Sequence, residues 1–212
     1  MAAPDRLAFV CPRLAGSGAV GGAETLLKNL ATHAAARGVA VDFLTTCAQS
    51  HFTWENTLPP GVERMGGMDV HFFPVDERNP GQFLQIQQQI DRGRPVSVEE
   101  ELLWLKNGVN STALMQHLAQ HAASYRAILL GPYLFGLTWF AALAHPERAL
   151  LVPCLHDEPF AKLACMRRLF AETAGCLFNT QAERELAGEL FQYPDARARI
   201  VGMGLDAFTA DP

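Results

Sequence analysis

Residues 6–37, RLAFVCPRLAGSGAVGGAETLLKNLATHAAAR, join an apolar run, a glycine-rich loop and a helical pattern, and no other stretch restricts the fold so tightly. Leu7, Phe9, Val10 and Cys11 read as a short buried strand, after which Gly16, Gly18, Gly21 and Gly22 free the backbone to turn. Leu26, Leu27, Leu30, Ala31 and Ala34 recur at helical spacing, so one face packs on a sheet. The unpaired N–H groups of that helix's first turn point back at the loop, which makes the unit a site for an anion, most often a phosphate. Gly38 suits a left-handed helix cap, and residues 39–46 follow as a second strand. Strand, helix and strand in about 40 residues imply a right-handed parallel crossover.

The kind of phosphate ligand is a separate question. Gly16, Gly18 and Gly21 match the spacing of a dinucleotide fingerprint, in which the first glycine closely follows the strand and an acid ends the second strand. Here residues 12–15 intervene, the second strand ends in Thr45 and Thr46, and its one acid, Asp42, lies inside it. An NAD(P)-dependent oxidoreductase is therefore an alternative with the wrong spacing. Four glycines in seven residues ahead of a helix also exceed what a simple turn needs.

The rest of the chain continues the alternation. Residues 69–75 read as a third strand, with Pro74 marking an edge strand or a strand end. Helices are expected over 80–90, from Ser97 with a capping box to Glu100, and over 111–123. Next come AILLGP as strand, YLFGLTWFAALA as helix, ALLVPCLH as strand, PFAKLACMRRLF as helix, GCLFNT as strand, TQAERELAGELF as helix and ARIVGMG as a last strand. Seven strands with interposed helices predict an α/β fold with a doubly wound, mostly parallel sheet. With strand one central, a crevice opens at the carboxyl ends of strand one and the 127–131 strand. The glycine loop, residues 131–136 and the triplet His156, Asp157, Glu158 all fall on its rim.

At 212 residues the chain suits one domain, and a net charge of −5 with 18% charged residues and no basic run argues against nucleic acid. The stretch AILLGPYLFGLTWFAALA approaches the length of a membrane span, but its Gly131-Pro132 break favours a strand and a helix. The opening MAAPDR lacks the pattern of a signal peptide, so a cytoplasmic protein, or one peripheral at the inner membrane face, is expected. Cys11, Cys47, Cys154, Cys165 and Cys176 are widely spaced and read as reduced core residues.

Gly21-Gly22-Ala23-Glu24 is similar to the GG-x-E opening of the first helix in the retaining, nucleotide-sugar-dependent glycosyltransferases of family four, which have the GT-B fold. LVPCLHDEPFA resembles the strand end that carries that family's donor-contacting histidine, and Asn179-Thr180 with Glu183 resembles its N-[ST]-x-x-E word. IVGMGLD is a partial match to the P-x-G-[VL]-D segment where the chain crosses to its second domain, with Gly202 for proline and Met203 for asparagine.

The resemblance implies a Rossmann-like amino-terminal, acceptor-side half over residues 1–206, with 207–212 beginning a linker to a donor-binding domain absent from this chain. It implies transfer of a sugar from a nucleoside diphosphate sugar, with retention, to a carbohydrate, lipid or small-molecule acceptor. Neither a metal nor a further cofactor is implied, and this half alone is expected to be inactive. His156 and Asp157 become the catalytic candidates, and Gly16, Gly18, Gly21 and Gly22 the donor-phosphate candidates. Glu24, Trp54, Tyr133 and Asn179 are further cleft candidates.

Blander readings stand beside these. Glu158 and Glu183 suit helix capping, and Glu55 and Glu63 match the family's glutamate spacing by chance, in a loop. Trp54 and Phe52 either stack on a sugar or close the core edge. His117 and His121 stand one helical turn apart without an evident third metal ligand. A non-catalytic module that binds a carbohydrate or a partner remains the other alternative.

Overall fold

The computed structural model describes residues 5–14 and 21–202. Gly16, Gly18, Met203, Asp206 and residues 207–212, all named above, lie outside the described residues. Among the described residues, one sheet of eight strands runs in the order β3-β4-β2-β1-β5-β6-β7-β8. Its strands are β1 (Arg6–Val10), β2 (Ala40–Thr46), β3 (Gly61–Met65), β4 (Met68–Phe73), β5 (Tyr125–Leu130), β6 (Ala149–Leu151), β7 (Gly175–Phe178) and β8 (Ala198–Ile200). All pair in parallel except β3, which is antiparallel to β4.

Among the described residues, seven α-helices flank this sheet: α1 (Gly22–Ala36), α2 (Pro80–Asp91), α3 (Val98–Asn107), α4 (Thr112–His121), α5 (Gly136–Ala144), α6 (Ala164–Glu172) and α7 (Gln181–Phe191). Alternating side chains of β1 divide the core. Phe9 and Cys11 pack with Leu26, Leu27 and Ala31 of α1, whereas Ala8 and Val10 face the cluster that holds apolar residues of α2 to α7. Helices thus cover both faces. The order turns around at β1, between β2 and β5, which opens the crevice the sequence predicts.

The count of about seven strands is corrected by β3, which the sequence reading leaves as loop. All five of its residues are exposed, so no apolar alternation betrays it. Its signal is the turn: Gly66 and Gly67, at φ 56° and 82°, form the two-residue hairpin connection that favours two glycines. As a result β4 is an internal strand that stops before Pro74, not an edge.

β6 is shorter than expected, because Pro153 has no N–H to give the ladder and Cys154 takes a left-handed φ of 53°. His156 accordingly follows the strand by five residues. The single helix expected over 159–170 is split into a 3-10 turn, Pro159–Lys162, and α6. The break has a long-range cause. The Glu101 carboxylate of α3, itself buried, accepts from the Ala164 and Cys165 N–H groups at 3.0 and 2.7 Å and caps α6.

The capping box from Ser97 to Glu100 forms as read, and Ser111 caps α4, which ends at His121 before a 3-10 turn, Ala122–Ser124. The apolar stretch after residue 126 is resolved into β5, a cis Gly131-Pro132 bond and α5. Among the described residues no helix is long and apolar enough to cross a membrane.

Candidate functional site

Three loops meet at the carboxyl edge of the sheet. The first leaves β1 through Pro12 and Arg13 and re-enters the described chain at Gly21. Arg13 is buried, donating to Glu24 through Nε at 3.2 Å and Nη2 at 2.7 Å, and through Nη1 to the Gln49 carbonyl at 2.9 Å. The paired Glu24 carboxylate lies against Gly21, where an added Cβ would stand 2.3 Å from Glu24 Oε2. Gly21 has an ordinary φ of −64°, so its backbone conformation does not call for glycine, and a side chain there would have to displace the end of Glu24. Gly21 caps α1 without any side-chain hydrogen bond, and an added Cβ at Gly22 would meet nothing within 4 Å. Among the described residues, then, the first turn of α1 has no side-chain cap, and its backbone amides are candidates for an anion.

The second loop follows β5. A Cβ at Gly131 would sit 2.2 Å from the Val152 carbonyl oxygen, so glycine lets β5 and the chain after β6 run together. Tyr133 N–H donates to Pro153 O at 3.1 Å, tying this loop to the third. Tyr133 itself does not reach the cleft. Its side chain is fully buried against Phe170, and its hydroxyl donates to Glu158 Oε1 at 2.6 Å. Burial, and then the adjoining Glu158, push the Tyr133 hydroxyl pKa upward. Glu158 stands at the N-cap position expected for it, yet its carboxylate holds Tyr133 and makes no cap bond.

The third loop carries His156. Its anchor is Glu183, whose Oε1 accepts from Leu155 N–H at 2.7 Å and Oε2 from Asn179 N–H at 2.6 Å. Thr180 Oγ1 accepts from Glu183 N–H at 3.0 Å, so half of a capping box is present. The other half is redirected: the buried carboxylate bridges two loops instead of returning to the Thr180 N–H. His156 and Asp157 are exposed, with Asp157 Oδ1 2.9 Å from Lys162 Nζ.

A cavity of about 680 Å³ joins the three loops. Gly21, Gly22, Glu24, His156, Asp157 and Asn179 all line it, residues that lie far apart in the sequence. Asn179 bonds Cys154 Sγ through Nδ2 at 3.7 Å, while its Oδ1 is closed off from solvent and has no partner. Cys154 also lines the cavity, but burial, with Glu183 nearby, pushes its thiol up to about 11, which favours the protonated form at neutral pH. The volume falls in the range usual for small-molecule sites.

Trp54 is buried in a left-handed conformation at φ 57°, edge-on to Phe135 at 5.5 Å. It lines two neighbouring cavities rather than this one, while Phe52 is 81% exposed. His117 and His121 do pack, with ring centroids 4.5 Å apart and His71 5.1 Å from His117. Among the described residues no three His, Cys, Asp or Glu side chains are grouped so as to hold a metal ion. Sequence reasoning passed over Arg13 and the bridging role of Glu183. An arginine directly after a buried strand was the one available signal for the former, and only the fold reveals the latter.

Compared with models of known protein families, the chain matches none, and no curated protein gives a significant alignment with it.

Proposed function

We propose that the chain is the acceptor-side half of a retaining glycosyltransferase of GT-B architecture, doubly wound and cytoplasmic, acting on a nucleoside diphosphate sugar held mainly by a second domain. The observation that supports this reading most is the shared cavity: Gly21 and Gly22, whose backbone amides open α1 without a side-chain cap among the described residues, line one space with His156 and Asn179 at the sheet's carboxyl edge. Such amides, with the dipole of α1 behind them, stabilise the charge that develops on a departing diphosphate. A diphosphate leaves well once so stabilised and itself accepts the acceptor's proton, so a front-face transfer asks for no carboxylate nucleophile. His156 contacts the donor sugar near the reacting carbon. Asp157, exposed at the cavity, binds acceptor hydroxyls.

Glu24 would repel a diphosphate were it unpaired; Arg13 neutralises it. The dinucleotide reading has less support, since Thr46 at the end of β2 donates its hydroxyl to Pro12 O at 2.6 Å and no acid ends that strand to take a ribose.

The test is transfer and donor hydrolysis by the protein joined to its donor-binding domain, across a panel of nucleotide sugars, with His156→Ala alongside. Turnover with one donor that drops at least about a hundredfold in the variant is expected. No turnover with any donor contradicts the assignment, and an undiminished rate removes His156 from the site.

A further inference from the structure

Next to the His156 cavity lies another of about 520 Å³, a volume usual for small-molecule sites, with Trp54, Phe83, Leu84 and Phe135 among its walls. Its charged lining residues are Arg13, Glu24 and Arg78, while His51, which also lines it, can only add positive charge. Arg13 and Glu24 pair at 2.7 Å and cancel, which leaves the Arg78 guanidinium as the unbalanced charge. In a chain of net charge −5, a cavity with a surplus cation favours an anion.

The guanidinium is held at the wall itself. Arg78 is half-buried, and its Nη2 donates to the Thr53 carbonyl at 3.0 Å, in a segment whose His51, Phe52 and Trp54 all line the cavity. That segment is a tight turn: Ser50 Oγ accepts from the Phe52 and Thr53 N–H groups at 3.2 and 3.4 Å, and the Ser50 carbonyl from Trp54 N–H at 3.0 Å. Among the described residues no carboxylate pairs with Arg78, and the one carbonyl leaves its other N–H donors for a further acceptor. Burial lowers the Arg78 pKa from its ordinary value, although a guanidinium stays charged near neutral pH.

Phe52, 81% exposed, extends the apolar wall outward, its ring centroid 3.9 Å from that of His51. An exposed ring near an unpaired guanidinium is matched by a ligand that offers a ring and an anion together. One surplus cation suits a head group of one negative charge, a carboxylate, which an arginine fork takes in two parallel bonds. We propose that this cavity binds a ring-bearing carboxylate, with the carboxylate on Arg78 and the ring against Phe52 and Trp54. Gly21, Glu24 and Phe135 line both this cavity and the one that His156 lines, so the two sites adjoin. The proposal rests on the functional reading above only for naming this ligand the acceptor; binding itself needs no catalysis.

Benzoate, benzyl alcohol and acetate are the probes, titrated into the full chain by NMR with the Arg78 Nε–H signal and the Phe52 and Trp54 amides as reporters. Benzoate carries head and ring, benzyl alcohol the ring alone and acetate the head alone. Benzoate is expected to bind saturably and at least about tenfold tighter than either, since each of the others gives up a charged hydrogen-bond pair or a buried ring. Arg78→Met keeps the apolar stem and should erase the preference over benzyl alcohol, and Arg78→Lys should restore part of it. Phe52→Ala changes an exposed side chain, leaves the fold intact and should weaken benzoate at least about threefold. Absence of saturable benzoate shifts at the reporters, a preference unchanged in Arg78→Met, or benzoate affinity unchanged in Phe52→Ala overturns the proposal. Benzoate binding as described, without transfer from any nucleotide sugar by the protein joined to its donor-binding domain, leaves this site standing and removes the glycosyltransferase reading. Transfer with no benzoate binding does the reverse.

Discussion

Removing the Glu183 carboxylate should loosen the two loops that set His156 and Asn179, and the size of the effect separates a bridge from a simple cap. Both oxygens are used, at 2.7 Å by Leu155 N–H and at 2.6 Å by Asn179 N–H, in a side chain that is buried. Hydrogen bonds to a charged acceptor contribute about 1.5–3 kcal/mol each, and Glu183→Ala strands two donors that have little access to water. The expected loss is therefore about 3–5 kcal/mol, which in a chain of 212 residues lowers Tm by about 6–12 °C. Glu183→Gln keeps one acceptor oxygen for two donors and should lose about half as much. Thr180→Ala removes only the cap to Glu183 N–H and should cost about 1 kcal/mol. Thermal and urea unfolding followed by circular dichroism measure the three variants, and amide exchange at Leu155 and Asn179 localises the change. If Glu183→Ala is no worse than Thr180→Ala, or if exchange at those two amides stays as slow as in the wild type, the bridging account is wrong.

Two further outcomes follow from buried charge. The Arg13–Glu24 pair has side chains only 7% and 9% exposed, so Arg13→Met or Glu24→Leu alone should cost about 3–5 kcal/mol in urea unfolding, and the double variant far less. Single losses under about 1 kcal/mol, typical of surface pairs, would refute the burial argument. At the opposite edge of the sheet, burial and then the neighbouring His71 and His121 lower the His117 pKa from 6.5 to about 4, with Asp42 opposing. Its Nε2 lies 3.0 Å from the Tyr125 hydroxyl, which donates to Asp42 Oδ2 at 2.7 Å, and Arg6 pairs with the same carboxylate. Between pH 4 and 6.5 the unfolded chain binds more protons at this position, so stability should rise with pH across that window and be lost as pH falls through it. His117→Phe should flatten the slope; an unchanged pH profile in urea unfolding contradicts the assignment. Asp42 acts lower still. Burial raises its pKa, but His71, the Tyr125 hydroxyl and Arg6 together hold it below 3.8, so its contribution fades only beneath that pH.

What the sequence made legible was whatever local pattern dictates. The strand, glycine loop and helix at the amino end, the parallel alternation after residue 124 and the crevice beside β1 follow from apolar periodicity and breakers, and the fold agrees. What it hid depended on distant partners or on exposure. β3 has no buried residue to mark it, and α6 starts at Ala164 because a carboxylate on α3 caps it. Tyr133 reads as a rim residue by its place after a strand, yet the cis Gly131-Pro132 bond and the Glu158 contact accompany a fully buried ring. Glu183 looks like a capping residue in sequence because half of that role is true. The site's membership was legible as three separate loops. That Gly21, Gly22, His156 and Asn179 share one space is a property of the strand order alone.

Mapping amide shifts of the isotopically labelled chain during titration with uridine and guanosine diphosphates tests the phosphate site most directly. The account predicts progressive, saturable shifts at Gly21, Gly22 and Ala23, together with the His156 ring and the Asn179 side-chain amide, at micromolar to millimolar diphosphate. Shifts confined to other surfaces, or none at those residues at millimolar concentration of either nucleotide, would contradict it.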